Sequence, residues 1–230
     1  EGMVDLDALK AMMDDSGVFI THVPEEERSL YARAMGRIDG VREPYDIEHR
    51  FVRSDGSEKW LRVSATPEFR GERVIWHGYM SDVTLRKNNE IAVQRLAYFD
   101  TLTGLPNRRA FLDRMGNTVQ RCRERGDRGA LLFIDLDNFK SLNDTQGHDV
   151  GDQYLVQVAR RLATAVGDND LVARIGGDEF VVVLEAIGDS DAAAAMQAMT
   201  TGNHVITAMR QSFRLGEVSH RASASIGVVV

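Results

Sequence analysis

The chain has 230 residues, 43% of them hydrophobic, enough to build a core, and no apolar run approaches the ~20 residues that a membrane-crossing helix needs. A single cysteine, Cys122, excludes an internal disulfide framework and fits a reducing compartment. The formal charge of −7 is concentrated at the front, with 11 basic and 17 acidic residues in 1–84 against 17 and 18 in 85–230, so no cationic stripe suits a phosphate backbone and nucleic acid is not an expected partner.

In chain order, residues 5–13 and 24–36 read as helices; Pro24 followed by Glu25, Glu26 and Glu27 suits a helix first turn. Residues 47–83 read as an antiparallel meander. A strand at Ile47–Arg53 meets an Asp55-Gly56 turn, Trp60–Ala65 pairs back, and Arg70-Gly71-Glu72 turns into a third strand over Val74–Val83. Residues 85–99 contain neither proline nor glycine and read as a linker helix, with Leu85, Ala92 and Phe99 seven apart. That spacing is compatible with a short coiled coil or with a solvated connector.

Helices and strands alternate after residue 100. Helices are expected over 107–125, 149–166 and 190–210. Strands are expected over 130–134, 171–175, 180–184 and 221–230. The strand at 130–134 runs into Asp135-Leu136-Asp137, which puts Asp135 and Asp137 on one face if the strand continues that far. The turn Gly176-Gly177-Asp178-Glu179 adds two more carboxylates. Hard cations such as Mg²⁺ bind through one or two carboxylates plus substrate phosphates, so two such clusters on neighbouring strands point to metal-assisted phosphoryl transfer. Either cluster taken alone reads first as solvated acid at a strand end or turn, and only the joint pattern points further.

The segment from Tyr45 to Phe69, with Gly78 to Lys87, resembles the C-terminal half of a PAS sensor domain and ends in an Asp82-Val83-Thr84 junction. Cys122 lies outside this part, which excludes a cysteinyl-flavin photosensor for these residues. The lone histidines His22, His49 and His77 read as structural rather than as haem ligands, and the ligand sensed stays unread. Further on, "FDTLTGLPNRRAF" (Phe99–Phe111), "FIDLDNFKSLNDTQGHDVGD" (Phe133–Asp152), "RIGGDEF" (Arg174–Phe180) and "SIG" (Ser225–Gly227) resemble, in order, the GGDEF-domain diguanylate cyclases.

The expected fold is therefore α+β. It has a partial PAS antiparallel sheet over residues 1–84, a linker helix over 85–99, and a palm-like nucleotidyl-cyclase domain over 100–230. The resemblance implies condensation of two GTP into cyclic di-GMP by a homodimer that uses Mg²⁺ or Mn²⁺. Carried over by position, Asp135, the Leu136 carbonyl and Asp178 would bind metal. Asp178 would also ease proton loss from the attacking hydroxyl, and Glu179 would support the cluster. Gly176 and Gly177 would let the triphosphate lie close, with Phe139 and Lys140 near the phosphates. Asn143 and Asp152 would read guanine, and His148, on a loop between them, would contact substrate.

Several alternatives stand. Lys140 reads also as a surface lysine, His148 as a helix cap, Asp137 as structural, and Arg174 as structural or ligand-facing. The family's inhibitory Arg-x-x-Asp is here Gly167-Asp168-Asn169-Asp170, which lacks the arginine that would grip product. The family continues past "SIG" with basic residues on the phosphates. Both termini are thus expected to be cuts in a longer protein, and residues 1–230 alone are expected to turn GTP over poorly. These domains are expected in the cytoplasm, with membrane anchoring of a parent chain left open. The alternative function is a regulatory GTP-binding module beside a cyclic di-GMP phosphodiesterase domain.

Overall fold

A computed structural model describes residues 20–34, 43–53, 55–71, 73–216 and 218–230, and the helix expected over 5–13 lies outside them, as do residues 35–36 of the helix expected over 24–36. The chain divides into two compact units, residues 1–92 and 93–230. Among the described residues no helix is long and apolar enough to cross a membrane.

In the first unit, helix α1 (Glu25–Ala34) precedes three antiparallel strands in the order β1 (Tyr45–Val52), β2 (Glu58–Arg70) and β3 (Arg73–Asp82). The expected turns form where glycine takes a left-handed conformation, at Gly56 (φ 83°) and Gly71 (φ 61°). Alternation along β1 and β2 delivers Phe51, Leu61 and Val63 to one face, where they pack with Val23. Arg50 reaches across to the Glu27 carboxylate at 2.7 Å and also pairs with Glu26, tying α1 to the sheet.

Helix α2 (Thr84–Tyr98) follows, and none of its residues is buried. Its first turn belongs to the first unit: the Trp60 N–H donates to Thr84 Oγ1 (2.9 Å), and Lys87 pairs with Glu48 (2.7 Å). Its last turn belongs to the second unit, where Asn107 donates to the Tyr98 carbonyl through its backbone (2.9 Å) and to the Ala97 carbonyl through its side chain (3.0 Å).

The second unit is built on a four-stranded sheet in the order β5 (Leu171–Gly176), β6 (Glu179–Gly188), β4 (Arg128–Leu136), β9 (Ala224–Val229), with every pairing antiparallel. Ala130, Leu132, Ile134 and Leu136 of β4 and Phe180, Val182 and Leu184 of β6 share one buried face. Helices α5 (His148–Ala165) and α6 (Asp191–Arg210) cover it with Leu155, Val158, Leu162, Ala198 and Val205. Helix α3 (Arg108–Arg125) serves the other face, where Arg114 and Thr118 donate to Glu185 of β6 (2.5 and 2.7 Å) and Arg121 pairs with the same carboxylate (2.5 Å). Asn107 caps α3 by accepting from the N–H groups of Arg109 (3.0 Å) and Ala110 (3.1 Å).

Three features differ from the sequence reading. A helix α4 (Phe139–Gln146) stands between β4 and α5, where none is expected. A short hairpin, β7 (Phe213–Leu215) with β8 (Val218–His220), follows α6 and sends Phe213 and Leu215 into the core. The last strand begins at Ala224 rather than 221, because Asp137 and Ser223 close the end of the β4–β9 ladder.

The Asp82 carboxylate, at the joint into α2, is partly desolvated, which raises its pKa. Lys59 and the Thr84 hydroxyl and N–H outweigh that and hold it down to about 2. A depressed carboxylate stabilises the fold above its unfolded pKa of about 4, and that contribution is lost as pH falls toward 2. The melting-temperature difference between the native chain and Asp82→Asn should therefore be largest above pH 5 and shrink steadily between pH 4 and about 2. Calorimetric melts across that range check this; a difference that grows toward acid would overturn it.

Candidate active site

The two acidic segments meet because β4 pairs with β6. Asp135 lies opposite Glu179 in the ladder, and the Leu136 N–H donates to the Asp178 carbonyl at 3.3 Å. Asp135, Leu136, Asp178 and Glu179 thus occupy one end of the sheet, with the Asp135 side chain exposed and Asp178 half-buried. Above them the Gly176-Gly177 turn is open: a Cβ placed at either glycine would meet no heavy atom within 4 Å, and Gly177 is left-handed (φ 45°). A charged ligand has room to lie directly on that backbone.

Asp137 does not join the cluster. β4 ends at Leu136, and the Asp137 carboxylate accepts from Ser223 Oγ (2.6 Å) and Ser225 Oγ (2.8 Å), which hold it below the usual carboxylate range. Arg174 is structural in this arrangement. Its Nε and Nη2 donate to the Gly177 carbonyl (3.0 and 2.7 Å), its Nη1 to Asp100 (3.0 Å), and its N–H to the Pro106 carbonyl (2.9 Å). Burial pushes the Asp100 carboxyl up, but the Thr103 hydroxyl and N–H and the Arg174 guanidinium outweigh it and the net shift is downward. The "FDTLTGLPNR" segment therefore grips the Gly-Gly turn through one guanidinium.

Helix α4 leads away from the acidic end. Asn138, left-handed at φ 61°, turns the chain so that α4 starts just past the end of β4. The first intrahelical acceptor serves Leu142 (3.1 Å, to Asn138), so the N–H groups of Phe139 and Lys140 have no carbonyl of the helix to bond. Such an end favours anions. The Phe139 ring packs on Tyr154 (6.2 Å between centroids), whereas the Lys140 side chain is exposed. Asn143 lies in the last turns of α4, beside Gly151 of α5, and Asp152 is exposed on α5. His148 is not on a loop, as the sequence reading has it. It is the first residue of α5, exposed, and only Gly147 (φ 88°) separates the two helices.

The oxygen donors at the sheet end suit a hard cation. Among the described residues no group of three or more His, Cys, Asp or Glu is placed to hold a metal by itself.

A family model described as "Diguanylate cyclase, GGDEF domain" matches residues 97–230. The chain belongs to this family. The bifunctional diguanylate cyclase/cyclic di-GMP phosphodiesterase MucR of Pseudomonas aeruginosa is 39% identical over 145 residues, covering 63% of this chain and 20% of MucR. The diguanylate cyclase TpbB of the same organism is 36% identical over 156 residues, covering 67% of this chain and 33% of TpbB. The chain thus spans a third or less of these relatives. A solved structure of an N-terminally shortened TpbB comprising only the GGDEF domain superposes with a TM-score of 0.54 at 37% identity, over 57% of this chain and 74% of that one.

The grip of Arg174 on the GGDEF turn is testable. Both partners are largely shielded, with 12% and 22% of the Arg174 and Asp100 side chains exposed, so Arg174→Met should cost about 2 kcal/mol, the scale of charge-assisted hydrogen bonds. Arg174→Lys should recover less than half, since an ammonium cannot bridge both acceptors as the planar fork does. Urea unfolding measures both; equal stability of the native and Met chains would show that the turn holds itself.

Proposed function

We propose that this chain is the catalytic part, with an attached sensor, of an enzyme that condenses two GTP into cyclic di-GMP. The reading is carried by the β4–β6 register, which sets Asp135 opposite Glu179 beside the open Gly-Gly turn. In each of two steps a ribose 3′-oxygen bonds to the α-phosphorus of the other GTP. The bond from that phosphorus to the bridging oxygen breaks, pyrophosphate leaves, and the hydroxyl proton is lost. Asp178 would ease that loss, and Glu179 would support the same cluster. Mg²⁺, or Mn²⁺, held by Asp135, Asp178 and the Leu136 carbonyl, would supply charge neutralisation at the phosphates. The first-turn N–H groups of α4 at Phe139 and Lys140 favour the triphosphate, Gly176 and Gly177 leave it room, Asn143 and Asp152 read guanine, and His148 reaches substrate from the start of α5.

One site holds one GTP, so the active form is a homodimer with two sites face to face. Helix α2 supports this: its Leu85, Val93 and Leu96 are 77%, 65% and 64% exposed, apolar surface of the kind that a second helix covers. We assign residues 1–84 as a PAS-type sensor, 85–99 as the signalling linker and 100–230 as the cyclase domain. A second reading, a GTP-binding module that regulates an adjoining phosphodiesterase domain, is supported by the likeness to the bifunctional MucR.

Asp135→Ala and Asp178→Ala should each abolish Mg²⁺-dependent cyclic di-GMP synthesis by the full-length protein while leaving guanine-dependent nucleotide binding in place. Unchanged turnover in either variant would falsify the assignment.

The loop at the inhibitory position closes on itself. Asp170 accepts from the Gly167 N–H (3.1 Å) and the Glu185 N–H (3.4 Å), and its own N–H donates to the Gly167 carbonyl (3.0 Å). With no arginine at 167 and this carboxylate already engaged, cyclic di-GMP should bind weakly here and Asp170→Ala should leave its affinity unchanged. Calorimetry showing tight, Asp170-dependent product binding would sink this.

A further inference from the structure

Gly151 stands inside α5, buried, at a helical position where alanine would be better by about 1 kcal/mol. Its φ lies in the ordinary range, so backbone strain does not demand glycine. The space beside it does. A Cβ at 151 would lie 2.9 Å from Asn143 Cγ and 3.4 Å from Nδ2, and closer still to Oδ1. The Asn143 amide is therefore seated where a side chain at 151 would be, and its Oδ1 is buried there without a hydrogen-bond partner. The backbone around it is fixed at both ends: the Gly147 N–H donates to the Asn143 carbonyl (2.9 Å), and the Gly151 N–H donates to the Gly147 carbonyl (3.3 Å).

We infer that Gly151 is a specificity-positioning residue: by offering no side chain, it seats the Asn143 amide in the one orientation that presents it to the guanine edge. This rests on Asn143 reading guanine. Glycine touches no substrate itself; it acts through Asn143. Any side chain at 151 pushes the amide out of its seat, so guanine recognition is lost while phosphate contacts, made elsewhere, persist.

The test is a double-mutant cycle on nucleotide binding, with native, G151A, N143A and N143A/G151A proteins titrated with α,β-methylene GTP and the corresponding ATP analogue in Mg²⁺. G151A should weaken the GTP analogue roughly tenfold, the scale of one lost buried hydrogen bond, with little effect on the ATP analogue. In the N143A background the same substitution should have no further effect, because truncating the side chain at position 143 vacates the space. Equal weakening by G151A in both backgrounds overturns the inference and makes Gly151 a matter of helix packing. An N143A protein that keeps its full preference for guanine overturns instead the base-reading role on which the inference rests. Thermal melts of the four proteins cover the case in which G151A does not fold. Recovery of folding in N143A/G151A supports the seat, and failure of both overturns it.

Discussion

Strand β6 is buried on both faces from Phe180 to Leu184, and the position of every candidate catalytic group follows from that. Phe180, Val182 and Leu184 face α5 and α6, while Val181 and Val183 face the opposite side and continue to Glu185 under α3. A slip of one residue against β4 would exchange those two sets, placing Glu185 in the apolar core and Leu184 against the arginines of α3. The penalty for an unpaired buried carboxylate makes the register effectively single. With the register fixed, Asp135 must face Glu179, and the turn before Glu179 must overhang the end of β4.

The same end of the sheet concentrates carboxylates, and the structure keeps their roles apart by hydrogen bonding. Asp137 is held by two serine hydroxyls from the β9 side, and Asp100 by Thr103 and Arg174. Asp135 is left exposed at the strand end and Asp178 half-buried in the turn. Arg174 makes three side-chain hydrogen bonds within the protein, so the basic group nearest the GGDEF turn in sequence holds that turn against Asp100. Because its acceptor Asp100 lies two residues past the end of α2, that helix and the Gly-Gly turn are joined by a short run of covalent and charge-assisted links.

Much of the architecture was legible from pattern. The unbroken apolar runs of β4 and β6, the Asp-Gly turn of the first unit and the helical spacing in α5 each mark an element that the structure contains. Helix α4 escaped that reading because it is only eight residues long and its one fully buried side chain, Leu142, gives no period to detect. The β7–β8 hairpin escaped for a similar reason, with strands of three residues whose apolar pair, Phe213 and Leu215, reads as isolated hydrophobes.

For the site, the order of residue types is readable along the chain: acidic pairs at a strand end and at a Gly-Gly turn, an Asn and an Asp nine apart, and Gly167-Asp168-Asn169-Asp170 ahead of the turn. Those are local facts, and a family resemblance reads them directly. It takes the packed chain to engage Arg174 and Asp137 within the protein, to open a helix at His148, and to bring Gly151 against the Asn143 amide. Each depends on a partner that chain order alone does not identify, 74 residues away for Arg174 and 86 and 88 for Asp137, because hydrogen bonds and van der Waals exclusion act at contact distance and contact is set by how the sheet and helices pack.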